Sequence, residues 1–242
     1  MKKVEKTENK QIIYNGNIIP YTINYGNRKN MYICIKECDV LVKVPFNISS
    51  TKIQTFINSK SEWIYKSIQN QQVKLKNKPK YQSGEQIKIL GQNYTLVIQY
   101  IDKKRNVVSI ENKSIIVKLN QELKKENDEK IKNEIKKQLE KLYATIAKEE
   151  VEGAMEEITN LVGIKPNEYK IKKLKRAWGN CSSKKVISIN MEVVKFNREF
   201  IKYVVLHEIC HLKYMNHSKM FWNMVQKYMP NYKAIKKMQN ED

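Results

Sequence analysis

In the first 118 residues, short segments in which apolar and polar residues alternate one by one are the commonest pattern. This period of two constrains the fold more than any other feature. Such segments occur in pairs around four turn-like sequences: Asn15-Gly16, Glu37-Cys38-Asp39, Gly91 and Glu111-Asn112-Lys113. Alternation of this kind predicts strands with one buried face, and Asn-Gly is a typical two-residue hairpin turn. The pattern therefore predicts a series of β-hairpins.

Apolar residues at helical spacing occur once between these hairpins and then predominate in the second half of the chain. Apolar residues between 53 and 68 recur at helical spacing after residues 49–51, whose hydroxyls can cap a helix. An apolar stripe over residues 121–162 predicts one long amphipathic helix, ended by Gly163 and Pro166. Residues 168–194 then predict two strands joined by the turn-rich segment 179–183.

These patterns together predict the fold class. We expect an α+β fold with a β-rich unit at residues 1–118 and an α+β unit at residues 119–242. No internal repeat is evident in the sequence. The four cysteines form no C-x-x-C pair, so neither a disulfide framework nor a four-cysteine zinc site is expected.

Charge and hydropathy limit the partners and the location. The formal net charge of +21 favours contact with polyanions such as nucleic acid, although scattered, solvated lysines would give the same excess. No run of about 18 apolar residues is present, so we expect no membrane-spanning helix. The charged residues 1–11 lack the apolar centre of a signal peptide. The expected location is the cytoplasm.

All three histidines of the chain lie within residues 207–217. His207 and His211 bracket Glu208 in the pattern H-E-x-x-H, and Asn197 can cap a helix that carries them. Residues four apart share one face of a helix, so the two imidazoles can bind one metal ion. Glu208 is rotated about 100° from His207, which places its carboxylate beside the ion rather than among its ligands.

A catalytic zinc ion usually has three protein ligands, and His217 is the first candidate for the third. In a continuous helix His217 would lie about 15 Å from His207 along the axis, so the chain has to turn between Tyr214 and Asn216. Asn216 tolerates the left-handed conformation that such a turn can use. Ser218 can then cap a second helix.

The alternative third ligand is a carboxylate from a later helix. The only acids after residue 211 are the last two residues of the chain, which disfavours this arrangement. A helix without a metal ion would have to bury imidazoles and a carboxylate among apolar residues, which is costly without partners. The sequence therefore predicts a zinc site with Glu208 as the catalytic base and three ligands, His207, His211 and His217.

Several segments of the chain resemble the YgjP-like (DUF45) zinc metallopeptidase family, which is related to SprT-like and WLM metalloproteases. The most specific are RAWGNCSSKKVISINMEVV and YVVLHEICHLKYMNHSKMFWNMVQKYMPNY. LVKVP, EWIYKSI and GEQIKILGQNYTL resemble the N-terminal part of the family, so the resemblance covers almost the whole chain.

The resemblance implies a zincin-like catalytic unit with a small sheet and an HExxH helix. It implies His207, His211 and His217 as zinc ligands and Glu208 as the base. It also implies that the strand around residues 186–191 is an edge near the active cleft. An extended substrate is expected to pair with that edge.

The predicted function is zinc-dependent hydrolysis of peptide bonds in a protein or peptide substrate. Glu208 is expected to take a proton from a zinc-bound water, which then attacks the carbonyl. The alternative from another class is a nucleic-acid-associated zinc-binding module, which includes a protease recruited to DNA; a scaffolding role is a third possibility.

Further side chains are candidates for secondary roles in such a site. The thiols of Cys181 and Cys210 could lie near the metal ion, although a structural role is favoured for each. The candidate oxyanion stabilisers are Tyr203, Tyr214, Tyr228 and Arg176.

Overall fold

The computed structural model describes residues 6–76 and 79–238 and divides the chain into two compact units, Met1–Pro79 and Lys80–Asp242. The fold class is α+β, as predicted. The boundary between the units lies at Pro79, whereas the sequence pattern places it after residue 118. The reason is that the two later hairpins share a core with the long helix of the second unit. The alternation of apolar and polar residues in the strands does not indicate which helix packs on each sheet.

The first unit contains one four-stranded sheet and two helices. Its elements are β1 (Lys6–Tyr14), β2 (Asn17–Gly26), β3 (Tyr32–Lys36), β4 (Asp39–Pro45), α1 (Ser50–Asn58) and α2 (Ser61–Lys76). The strand order is β1-β2-β4-β3, with an antiparallel hairpin on each side and β2 parallel to β4 in the centre. Ser49 caps α1 as predicted, but the single helix expected here is divided before Ser61.

The second unit begins with a sheet of the same topology. Its strands are β5 (Gln86–Ile89), β6 (Gln92–Ile101), β7 (Val107–Glu111) and β8 (Ser114–Asn120), in the order β5-β6-β8-β7. The central strands β6 and β8 are again parallel. All four hairpin turns of the two sheets have positive φ at both central residues, the conformation of the two-residue turn that matches strand twist.

A long helix, α3 (Asp128–Val162), covers this second sheet. The predicted helix at 121–162 is interrupted, because residues Gln121–Lys125 form a 3-10 helix and Asn127 caps α3 through its side chain. At the other end Gly163 adopts the left-handed conformation with φ 75°, which ends the helix as expected.

The remainder of the second unit consists of a three-stranded sheet, called the small sheet below, and three helices. The elements are β9 (Glu168–Lys172), β10 (Gly179–Cys181), β11 (Val186–Asn190), a 3-10 helix (Met191–Lys195), α4 (Arg198–His211), α5 (Lys219–Tyr228) and α6 (Tyr232–Lys237). The order of the small sheet is β10-β11-β9. The segment predicted as a turn at 179–183 therefore contains a strand of its own.

The position of β11 in the centre of the small sheet corrects the expectation that residues 186–191 form an edge. β11 pairs with β10 on one side and with β9 on the other. The two edge strands are β10 and β9, and β10 is the one that packs on α4. Hydrogen bonds at Trp178 and Ser182 join this segment to β11, so the alternation of an antiparallel pair directs the backbone groups of Gly179 and Cys181 away from β11.

The structure also contains a repeated connection that the sequence analysis did not detect. Asn120 and Asn190 each cap a 3-10 helix at the end of a strand, and Asn127 and Asn197 each cap the α-helix that follows. The two segments also share the pattern N-x-E-x-x-K-x-N-x-E, at residues 120–129 and 190–199, which corrects the expectation that the sequence contains no internal repeat. Among the described residues, no helix combines the length and the hydropathy needed to cross a membrane.

Candidate metal centre

The H-E-x-x-H sequence lies at the end of α4, the most buried helix of the second unit. Asn197 begins the helix by accepting a hydrogen bond from the backbone N–H of Phe200 at 3.0 Å. Ten of its fourteen residues are buried, including Glu208 and His211. A helix buried on nearly all sides holds its polar side chains in fixed positions, because every rotamer change meets a packed neighbour.

A tight turn after α4 brings the third histidine back to the helix. α4 ends at His211, three residues earlier than the sequence suggests, and the N–H of Tyr214 still bonds to the carbonyl of Cys210 at 3.0 Å. The expected left-handed residue is not used, since Asn216 is absent from the described residues with positive φ. Ser218 caps α5 as predicted by accepting from the N–H of Phe221.

The structure brings His207, His211 and His217 together into one group that could hold a metal ion. One ring nitrogen from each lies within 4.8 Å of the other two, and the Nε2 atoms of His207 and His217 are 2.9 Å apart. Phe221 of α5 packs against all three imidazoles with ring centroids 4.5 to 4.9 Å apart. The apolar ring fixes the histidines from behind and leaves their nitrogens facing one another.

Hydrogen bonding and burial set the histidines in the form that binds metal. Nδ1 of His211 lies 2.9 Å from the carbonyl oxygen of Tyr214, so it carries the proton and leaves Nε2 with a free lone pair. Burial, followed by the neighbouring histidines, lowers the pKa of His207 to about 3. Burial also lowers the pKa of His217. Neutral imidazole is the ligand form.

Glu208 is the one carboxylate in this group of side chains and it is deeply buried, with 4% of its surface exposed. Burial raises its pKa to about 8, so its ionised form needs a nearby positive charge. Its Oε2 and the Nδ1 of His207 have no hydrogen-bond partner among the described residues. Buried polar atoms without a partner mark a functional position in native proteins. A cation at the histidine group fits these residues.

Gly179 of β10 lies directly against Glu208. A Cβ atom at this position would be 2.7 Å from both Cγ and Oε1 of Glu208. Such a distance is well inside van der Waals contact, so the absence of a side chain at Gly179 makes room for the carboxylate. No local sequence pattern indicates this role, because the two residues are 29 positions apart and meet only when the small sheet packs on α4.

A cleft of about 490 Å³ opens over the histidine group. It is lined by Arg176, Ala177, Trp178, Gly179, Phe200, Tyr203, Val204, His207, Glu208, His217, Trp222 and Lys236. Of the four candidate oxyanion stabilisers, Arg176 and Tyr203 line this cleft, and Tyr214 and Tyr228 do not. Burial raises the pKa of Tyr203 to about 12, so its hydroxyl keeps its proton. Trp222 and Lys236 were not recognised from the sequence.

The loop before β10 is held beside the cleft by one buried side chain. Asn190 is 5% exposed, and its amide donates to the carbonyl oxygens of Leu174 at 3.1 Å and Ala177 at 3.0 Å. Its oxygen accepts from the N–H groups of Leu174 and Glu192. A fully bonded buried amide of this kind fixes the loop that carries Arg176.

The two cysteines considered near the metal lie outside the histidine group. Cys210 is fully buried in the core of the second unit, and burial raises its pKa to about 12. The thiol of Cys181 donates to the carbonyl oxygen of Ser182 at 3.6 Å. Neither thiol belongs to the group of donor atoms that could hold an ion. Glu241 and Asp242, the acids weighed as alternative ligands, lie outside the described residues.

Solved structures include two metallopeptidase zymogens that resemble part of this chain. Abylysin of Pyrococcus abyssi is 28% identical with a TM-score of 0.33, and the match covers 35% of this chain and 87% of that one. Jannalysin of Methanocaldococcus jannaschii is 26% identical with a TM-score of 0.35, covering 38% and 88%. No curated protein matched the chain.

The match that spans the chain is to a sequence family. The model of the YgjP-like family, metallopeptidase domain, matches residues 29–241. This range takes in most of both compact units as well as all three histidines. The chain therefore belongs to the YgjP-like metallopeptidase family.

Proposed function

We propose that the chain is a zinc-dependent peptidase and that His207, His211 and His217 bind the ion. The observation that supports this most directly is the convergence of three imidazole donors within 4.8 Å. Three neutral imidazoles are a typical ligand set of catalytic zinc, which keeps one further position for water or substrate. The orphaned oxygen of Glu208 beside this group supports a charged, reactive site rather than a closed structural one.

In this proposal the side chains of the cleft have separate roles in the hydrolysis. A bound zinc ion supplies Lewis-acid polarisation and makes water more acidic. Glu208 accepts the proton of the attacking water at its free carboxylate oxygen and later donates it to the leaving nitrogen. Phe200 and Val204 line the cleft and exclude water from its wall. Tyr203 retains its proton and can donate a hydrogen bond to the substrate.

The direct test combines metal analysis with cleavage of an unbiased peptide library. We expect about one zinc ion per chain, cleavage that a chelator abolishes, and recovery when zinc is returned. The first measurement is atomic absorption on the purified protein, and the second is mass spectrometry of the library before and after incubation. Protein without bound zinc, or cleavage that continues in chelator, would contradict the proposal.

The close approach of Gly179 to Glu208 gives a second prediction. Gly179→Ala is expected to lower kcat by about 100-fold, because a methyl group 2.7 Å from the carboxylate has to displace it by a substantial fraction of an ångström. Zinc content should change little, since none of the three grouped histidines is altered.

The matched control is Gly153→Ala in α3, where an added Cβ meets nothing within 4 Å. Alanine is the better helix former, so this variant should keep full activity and gain stability of about 1 kcal/mol. Thermal unfolding followed by circular dichroism separates a displaced carboxylate from a disrupted fold. A Gly179→Ala enzyme with wild-type kcat would show that Gly179 does not position Glu208.

A further inference from the structure

The cleft over the histidine group is cationic. Arg176 lines it from the loop before β10 and Lys236 lines it from α6, and the only acid among the lining residues is Glu208. Glu208 is buried, so it does not neutralise charges at the mouth. Neither Arg176 nor Lys236 forms an ion pair within the part of the chain that the structure describes, although eleven other residue pairs there do.

Lys236 lies close to the histidine group through a cation–π contact with Trp222. Its Nζ lies 4.9 Å from the centre of the Trp222 ring. Trp222 stacks on His217, with ring centroids 5.5 Å apart and planes 21° apart, and also on Tyr232.

Arg176 reaches the same cleft from a loop that Asn190 holds in place. Its guanidinium is exposed and presents several N–H donors in a planar arrangement. A carboxylate is the group that such donors bind best, because two parallel hydrogen bonds form with one anion. An ammonium group on another wall of the cleft adds a second charge for the same anion.

We propose that Arg176 and Lys236 select substrates that carry a carboxylate close to the scissile bond. This inference rests on the proposed peptidase activity and names its substrate class. The carboxylate has two possible sources, an aspartate or glutamate side chain and the free carboxyl end of a peptide. Both present the same chemistry to the two cations.

Four versions of one peptide distinguish the two sources. The peptide is a sequence cleaved in the library or, if none is cleaved, the library sequence that the protein binds most tightly; it is prepared with aspartate or asparagine at the scissile or central position and with a free or an amidated C-terminus. Fluorescence anisotropy on zinc-loaded Glu208→Gln protein gives the Kd of each version without cleavage, and the wild type gives kcat and KM. We expect the carboxylate of one source to lower Kd and KM by about 10-fold, the effect of one charged hydrogen bond.

Substitution of Arg176 and Lys236, compared with substitution of two lysines outside the cleft, tests whether these two cations cause the preference. Arg176→Gln and Lys236→Gln are each expected to reduce the preference for the carboxylate at least about 3-fold, mainly through KM. Lys175→Gln and Lys227→Gln each remove one positive charge outside the cleft. Lys227 resembles Lys236 in lying over an aromatic ring, with its Nζ 5.1 Å from the centre of the Tyr228 ring. These two variants should keep the wild-type preference, which separates a local site from the general basicity of the chain.

The outcomes separate this inference from the activity on which it rests. Cleavage that does not distinguish carboxylate from amide overturns the inference and leaves the peptidase intact. Carboxylate-selective binding without any cleavage supports the cationic site and contradicts the peptidase. Equal loss of preference in Lys175→Gln and Lys236→Gln also overturns the inference, because the effect would then follow net charge.

Discussion

Glu208→Gln is expected to lower kcat by about 10²–10⁴-fold while zinc content and fold remain as in the wild type. Glutamine has nearly the same shape as glutamate, so it fits the space beside Gly179, but its amide cannot accept the proton of the attacking water. The carboxylate is buried and is not one of the three grouped ligands, so its replacement should leave the histidines in place. The measurements are kcat on a library-derived peptide, zinc by atomic absorption and circular dichroism.

The matched control lies on the same helix. Glu199→Gln makes the same chemical change in the first turn of α4, at an exposed position away from the cleft. We expect it to retain full activity, with a small loss of stability from the weaker interaction with the helix N-terminus. If Glu208→Gln cleaves peptides as fast as Glu199→Gln does, Glu208 is not the base.

His217→Ala is expected to weaken zinc binding by more than about 100-fold, which exceeds the usual cost of losing a ligand's hydrogen-bonding partner. His217 is exposed, so its removal should disturb the apo fold little. Competition with a chromophoric chelator gives the affinity directly. Thermal unfolding gives a second measure, because saturating zinc stabilises the folded wild type by about 2.7 kcal/mol at a hundredfold excess over Kd.

Met215→Ala is the control for His217→Ala, because it truncates a side chain that is 58% exposed in the same turn. It should bind zinc as the wild type does. Equal zinc affinity in the two variants would remove His217 from the ligand set. The sequence contains no other histidine that could replace it.

Local chemistry accounts for the parts of the structure that were predictable from sequence. The hairpin turns follow from residues that tolerate positive φ, and the helix starts at Asn197 and Ser218 follow from side chains that accept a backbone hydrogen bond. The grouping of His207 with His211 needs only the helical repeat. Even the approach of His217 could be expected, because the chain offered few other ligands.

The features that were not predictable from sequence depend on packing between residues that are distant in the chain. The unit boundary depends on which helix covers β5–β8, and the central position of β11 depends on pairing with β9, a strand some eighteen residues away along the chain. Gly179 and Lys236 meet the site only through such packing. No local sequence pattern distinguishes Gly179 and Lys236 from the other glycines and lysines of the chain.

The aromatic stack beside the histidines has a spectroscopic consequence. Two of the three indoles of the chain, Trp178 and Trp222, line the cleft, and Trp222 lies parallel to the ring of His217. The third, Trp63, belongs to the first compact unit. Emission from the cleft indoles therefore depends on what the imidazoles and the cleft hold, while Trp63 supplies a constant background. The molecule thus carries an intrinsic fluorophore beside its histidine group, and occupancy of the cleft can be followed without an attached dye.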